Sequence, residues 1–320
     1  MQEIIEFLRV REWFASKSAL MIGIFLYCYI KSSDLNINRF SINLICYLIF
    51  ISLFLAFGYV VNDFFDRDID FQAGKKKVIL LLPNWVCILI LIAMIAGASG
   101  PILVIAGWKR KLVCAVLLTI LLGFYYSAPP LRFKERGVLG LIVSSTAQRC
   151  MPLWVLYEFI PMNMQDFILW EVLSFFIGIR YILIHQRIDA QNDLKTGTIT
   201  FATKYIHVVS IGIYLSFAME IICLILLFAP WKNKIVLLLA AILFGYLLWQ
   251  GFVIRKKFSE NMFLTFSCVP LEDFYSFYLP VACLLILSIQ YWKIVFFLLV
   301  FLLIMWDSQL KKWKLIFFNI

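Results

Sequence analysis

A chain of 320 residues that is 63% hydrophobic and only 15% charged has too few charges to cover a water-soluble globule of its size. That balance excludes a soluble enzyme or binding module and places the chain in a bilayer. The excess of 29 Lys and Arg over 19 Asp and Glu suits loops lying over anionic lipid and carries no argument for nucleic acid.

Residues 1–17, with Glu3, Glu6, Arg9, Arg11 and Glu12 near the start, form an amphipathic cytoplasmic lead-in. They lack the basic-then-apolar order of a secretory leader. The apolar runs that follow are about 15 to 25 residues long, the length a helix needs to cross roughly 30 Å of hydrocarbon. Spans are predicted near residues 18–31, 40–61, 78–98, 112–126, 138–157, 166–185, 206–229, 234–254, 275–290 and 292–306. Runs apolar on every side, such as 88–96 and 294–305, exclude the alternating strands of a β-barrel. The fold class is therefore all-α, a polytopic transmembrane helical bundle in one domain over residues 1–320. It has nine crossings or ten, according to whether the last two spans, parted by Tyr291, form a tight hairpin or one broken helix.

With the N-terminus on the cytoplasmic side, alternate loops collect nineteen Lys and Arg, against eight on the other side. The positive-inside rule then fixes an integral membrane protein of the cell or inner membrane in that orientation. The run Lys109–Arg110–Lys111 lies against the trend. The eight cysteines form no C-x-x-C pair, and most fall inside apolar runs. They read as small hydrophobes rather than metal ligands or disulfides.

Six of the nineteen acids fall in two short segments, each directly after a long span. The first runs from Asn62 to Asp70, and on a helix Asp63, Asp66 and Asp70 share an arc of roughly 60° while Asp68 points the other way. The second runs from His185 to Asp193, where Asp189 and Asp193 at i, i+4 share a face with His185 and Asn192. Carboxylates this dense repel one another unless a cation neutralises them. Magnesium suits them, since it takes oxygen ligands and shares its shell with phosphate. The basic turn from Tyr126 to Lys134 leaves the fourth span on the same side. Its Arg132 and Lys134 are candidates to hold phosphate oxygens, with topology determination as the alternative. Arg149, inside the fifth span, faces either an acidic partner or a cavity, where with Gln148 it would meet an acceptor's phosphate or carboxylate. Arg180 and Glu220 are read as structural. His185 is either a ligand-orienting group or base, or a packing residue.

These residues resemble the UbiA superfamily of intramembrane prenyltransferases. Its N-D-x-x-D-x-x-x-D signature is matched at Asn62, Asp63, Asp66 and Asp70, its D-x-x-x-D signature at Asp189 and Asp193, and its Tyr-Ser-x-x-Pro-Leu-Arg-x-Lys turn at Tyr126 to Lys134. The segment Arg9–Val10–Arg11–Glu12–Trp13 is similar to that family's amphipathic start. The resemblance implies helices around a central cavity under a cytoplasmic polar cap. It also implies two magnesium ions bridging Asp63, Asp66, Asp70, Asp189 and Asp193 to a prenyl diphosphate, with catalytic help from Lys134. Asn62, Tyr126, Ser127, Arg132, Arg149, His185 and Asn192 are the expected substrate-binding residues. The chain departs from the family after the first signature, where Lys75–Lys76–Lys77 stands, either as a phosphate clamp or as a topology signal.

The expected reaction is magnesium-dependent transfer of a prenyl group from a prenyl diphosphate to a small polar-headed acceptor, aromatic or other, with release of diphosphate. Metal and cationic side chains stabilise the leaving group, and a dry pocket shelters the carbocation. The partners are these two small molecules and the lipid bilayer, not nucleic acid. A closer rival on the same fold transfers a phosphoribosyl group from its diphosphate to a polyprenyl phosphate. A secondary transporter is disfavoured because the acids stand at helix ends rather than at mid-membrane.

Overall fold

The computed structural model describes residues 2–32, 35–72, 74, 77–196, 201–228, 245 and 272–318, with side chains throughout except at 2, 15, 189, 191–196 and 307–318. Among them there is no strand. Two short helices, α1 (Gln2–Phe7) and α2 (Val10–Trp13), lead through a π-turn (Phe14–Ser18) into α3 (Ala19–Lys31). Then come α4 (Ile37–Phe65), α5 (Arg67–Gln72), α6 (Asn84–Ala106), α7 (Arg110–Ser127), α8 (Val138–Ser145), α9 (Met151–Phe159), α10 (Met164–Thr196), α11 (Phe201–Lys204) and α12 (Ile206–Phe228). After the next described residues begin at 272, α13 (Leu279–Gln290) and α14 (Val295–Phe318) follow.

Six of these helical stretches are long and apolar enough to cross a membrane: Val10–Lys31, Ile37–Phe65, Asn84–Ala106, Arg110–Ser127, Met164–Ile188 and Ile206–Phe228. In α6, α7 and α12 much of the apolar surface faces outward, as at Ile88, Leu117 and Ile211. Outward apolar faces on several helices are those of an integral membrane protein, whose solvent is lipid. The span predicted at 234–254 lies outside the described residues apart from residue 245.

Several boundaries move for identifiable reasons. The span predicted to begin at residue 78 begins at Asn84, because Val78–Leu81 forms a 3₁₀ turn and Pro83 then starts the helix. It runs on through Pro101 to Gly107, whose left-handed conformation (φ 78°) ends it. Lys109–Lys111 therefore stands at a tight α6–α7 turn, still against the charge trend. The fifth span is one helical run from Val138 to Phe159 with a π-turn at Thr146–Cys150. Tyr291 (φ −136°, ψ 90°) breaks the last apolar run, and the rings of Phe277 and Phe301 approach to 6.4 Å, so the chain folds back as a hairpin there.

The chain divides into two compact units. Met1–Trp13 with Ser41–Leu227 makes the first, where α8 packs on α10 and α7 on α9. The α8–α10 approach requires Gly178, since a Cβ there would stand 2.1 Å from Ser145 Oγ. Phe14–Phe40 with Phe228–Ile320 makes the second, in which α3 lies on α13 with Gly23 against Leu279, and Phe25, Tyr29, Phe40 and Phe297 form an aromatic cluster. Every site residue below belongs to the first unit. The 29 residues of α4 span about 43 Å and the 33 of α10 about 50 Å. Both exceed the hydrocarbon thickness, and each carries an aspartate motif at its C-terminal end.

Candidate active site

The helical hydrogen bonds of α4 continue across its nominal end: Asp66 N–H donates to the Asn62 carbonyl (3.1 Å) and Asp70 N–H to the Asp66 carbonyl (2.8 Å). Register is thus kept through the motif, and Asp63, Asp66 and Asp70 remain on one side, as their spacing predicts. Asp63 and Asp70 are 5% and 3% exposed. Asp68 is exposed on the other face, beside an outward pocket lined by Phe64, Arg67, Phe71, Leu80 and Asn84.

Four cations converge on these carboxylates. Lys77 Nζ donates to Asp63 Oδ1 and to Asp70 Oδ2, at 2.6 Å each. Arg9 Nη1 donates to Asp63 Oδ1 at 3.0 Å, while its Nε and Nη2 clasp the Glu12 carboxylate at 2.5 Å and its guanidinium lies 4.8 Å from the Tyr59 ring centre. Lys134 Nζ meets both Asp66 oxygens at 2.5 and 2.6 Å, and Arg132 Nη2 reaches Asp66 Oδ1 at 3.0 Å while pairing through Nε with Glu135. Arg9 (φ 49°) and Arg132 (φ 39°) both hold the left-handed backbone conformation that L-residues disfavour. Such strain persists where surrounding contacts enforce it, and here both strained residues aim a guanidinium at a motif aspartate.

Burial pulls the Lys77 ammonium down, but its hydrogen bonds to Asp63 and Asp70 outweigh this and hold it above the ordinary lysine value. Burial dominates at Lys134 and lowers it in spite of Asp66. Loss of water raises the energy of both charges, and the two closest partners decide the outcome only at Lys77.

The turn after α7 supplies the second wall. Pro129 and Pro130 carry no N–H and end the helix after Ser127. Arg136 ties the turn by donating to the carbonyls of Leu131 and Pro130. Ser127 Oγ, fully buried, and Lys134 Nζ both donate to Asn62 Oδ1 at 3.0 Å, so Asn62 joins the two motifs. The half-buried Tyr126 is hydrogen-bonded to Ser144 of α8. Gly140 of α8 lies so near the turn that a Cβ would stand 2.6 Å from the Phe133 carbonyl oxygen.

The remaining predicted site residues are placed less closely. Asp189, Asn192 and Asp193 follow Arg187 on the same unbroken helix α10, and their side chains lie outside the described residues. Lys75 and Lys76 lie outside them too. His185 is exposed. Arg149 is 2% exposed on the π-turn, its guanidinium 4.9 Å from the Tyr181 ring centre, with Gln148 donating to Ser144 Oγ at 2.9 Å. Arg180 and Glu220, each read as structural in the sequence, form one fully buried, bidentate pair at 2.5 and 2.8 Å, a pairing the sequence did not show. No sequence pattern marks Arg9, Glu12 or Tyr59 for the site, and Lys77 stood open between a phosphate clamp and a topology signal. Arg9 is separated from Asp63 by 54 residues, a distance no local pattern spans.

Among the described residues no three His, Cys, Asp or Glu side chains gather in a metal-binding group. The donor chemistry nevertheless fits a hard divalent ion, because oxygens of Asp63 and Asp70 already converge on one cationic nitrogen at 2.6 Å each. Asp66 supplies further carboxylate oxygens on the same helical side.

No family model and no curated protein matches the sequence. Solved structures do share the fold. A UbiA homologue from Archaeoglobus fulgidus bound to GPP and Mg2+ superimposes with a TM-score of 0.60 at 17% identity, over 89% of this chain and 99% of that one. The same homologue bound to DMAPP and Mg2+ gives 0.61 at 17% identity, over 89% and 98%. A structure of digeranylgeranylglyceryl phosphate synthase gives 0.61 at 15% identity, over 88% and 99%. The chain therefore has the helical fold of the UbiA homologues.

Proposed function

We propose that the chain is a member of the UbiA superfamily and a magnesium-dependent intramembrane prenyltransferase, moving a prenyl group from a prenyl diphosphate to a small polar-headed acceptor. The observation that carries this reading is the meeting of Asp63, Asp66 and Asp70 with Arg9, Lys77, Arg132 and Lys134 at the end of a long apolar helix. Binding of GPP and DMAPP with Mg2+ by a structural neighbour supports it.

In this reading Asp63, Asp66 and Asp70, together with Asp189 and Asp193, would hold two magnesium ions. Bound magnesium supplies Lewis acidity toward the diphosphate oxygens. Arg132 and Lys134 take the leaving group's oxygens, and Asn62, whose Oδ1 also accepts from Ser127, helps fix the Lys134 ammonium. The allylic C–O bond breaks with its electron pair leaving on diphosphate. The acceptor nucleophile bonds to the prenyl carbon and loses its proton to the medium. The apolar bundle holds the isoprenoid tail away from water, and the site faces the cytoplasm.

Purified protein in detergent, given magnesium, a panel of prenyl diphosphates and candidate acceptors, is expected to release diphosphate in a manner abolished by EDTA. No metal-dependent turnover with any allylic diphosphate contradicts the assignment. Release only from phosphoribosyl diphosphate with a polyprenyl phosphate assigns the rival reaction instead.

A further inference from the structure

Lys77 differs from the other three cations of the site. Arg9 is fixed by Glu12 and the Tyr59 ring, and Arg132 by Glu135. Lys134 is fixed by Asn62 as well as by Asp66. The only hydrogen bonds of Lys77 among the described residues are those to Asp63 Oδ1 and Asp70 Oδ2. It stands just before the 3₁₀ turn at Val78, on an extended backbone (φ −121°, ψ 138°). Its four-carbon stem allows the ammonium to swing without moving that backbone.

The two oxygens it holds belong to carboxylates that are almost wholly buried, so they need a counter-charge at all times. A divalent ion binding Asp63 and Asp70 competes for the same lone pairs, and at Asp63 Oδ1, which already accepts from both Arg9 and Lys77, like charge weighs against adding it while the ammonium stays. We infer that Lys77 is a resident counterion bridging Asp63 and Asp70 before substrate binds, and that it yields these carboxylates to metal and turns its ammonium onto the diphosphate that arrives with it. This rests on the metal-diphosphate reading of the site given above. It makes Lys77 a positioning residue that disfavours metal without diphosphate and couples the binding of the two. Arg9 and Lys134, each with other anchors, stay in place.

The test compares the full-length wild-type chain with K77M, K77Q and K77R in detergent, each first checked for cooperative thermal unfolding. Mn2+ binding without diphosphate is read from the spin-resonance signal of free ion. A non-reacting prenyl thiolodiphosphate is then titrated with and without saturating Mg2+. Loss of the competing charge is expected to tighten Mn2+ alone about tenfold in K77M and K77Q. K77R should match wild type in that arm, and both neutral variants should bind the thiolodiphosphate several-fold more weakly in Mg2+. Unchanged or weaker Mn2+ affinity in both neutral variants overturns the inference while leaving the function proposed for the site intact. Thiolodiphosphate binding independent of Mg2+ in every protein, wild type included, overturns both.

Discussion

Asp63 receives two cations, Lys77 and Arg9, and Asp66 receives Lys134 and Arg132. In the proposed reading these carboxylates, held here by side-chain cations, are the ones that take metal, so the motif aspartates are expected to be the most sensitive to loss of charge. Replacing Asp63 or Asp66 by Asn keeps the shape and removes the charge. Turnover is expected to fall on the order of 10²- to 10³-fold, the scale seen when one group stabilising the developing charge is removed, with the melting temperature little changed. Steady-state kinetics beside a melting curve separate that outcome from unfolding. Arg180 and Glu220 make the opposite prediction. Glu220→Gln leaves a guanidinium buried without its countercharge and should cost about 3–5 kcal/mol of stability, with R180M/E220M recovering most of it. Thermal unfolding of the single and double variants checks this. The motif aspartates were legible in the sequence because helical spacing alone aligns them. Arg9 was not, because only the packing of the lead-in against α4 brings it to Asp63.

At the scale of elements, two close approaches hold the site's walls. Gly140 lets α8 pass against the Phe133 carbonyl, and Phe133 adjoins Lys134 in the basic turn. Gly140→Ala should push that turn outward and weaken diphosphate binding several-fold although residue 140 touches no ligand; a binding titration reads it directly. Gly178 permits the contact of α8 with α10, where Ser145 Oγ donates to the Phe175 carbonyl at 2.6 Å. Overpacking by Gly178→Ala is expected to cost about 1–3 kcal/mol, seen as a lowered midpoint of thermal unfolding. Neither glycine is marked by hydrophobic pattern, since a helical glycine becomes informative only when its neighbour across the interface is known. The π-turn at Thr146–Cys150 was equally hidden inside what reads as one uniform span. The long apolar runs, by contrast, fixed element type well because a run apolar on every side cannot be a barrel strand, which leaves a helix to satisfy its backbone in hydrocarbon.

Across the whole molecule, hydropathy and charge were enough to read an all-helical membrane protein, and the UbiA-like fold of solved neighbours accords with it. What hydropathy left open was which distant segments meet, and in the first unit the answer is concrete: lead-in, α4, the Lys77 segment and the α7–α8 turn gather on one set of carboxylates. Residues far apart in the chain thus make one charged centre at the end of an apolar bundle. In the proposed reading this centre binds a prenyl diphosphate through magnesium held by the motif aspartates. Equilibrium binding of a non-reacting prenyl thiolodiphosphate to the purified chain, titrated from EDTA to saturating Mg2+ in wild type and in Asp63→Asn, decides it. Affinity is expected to rise steeply with Mg2+ in the wild type and to stay flat in the variant; equal affinity in EDTA and in Mg2+ contradicts that reading.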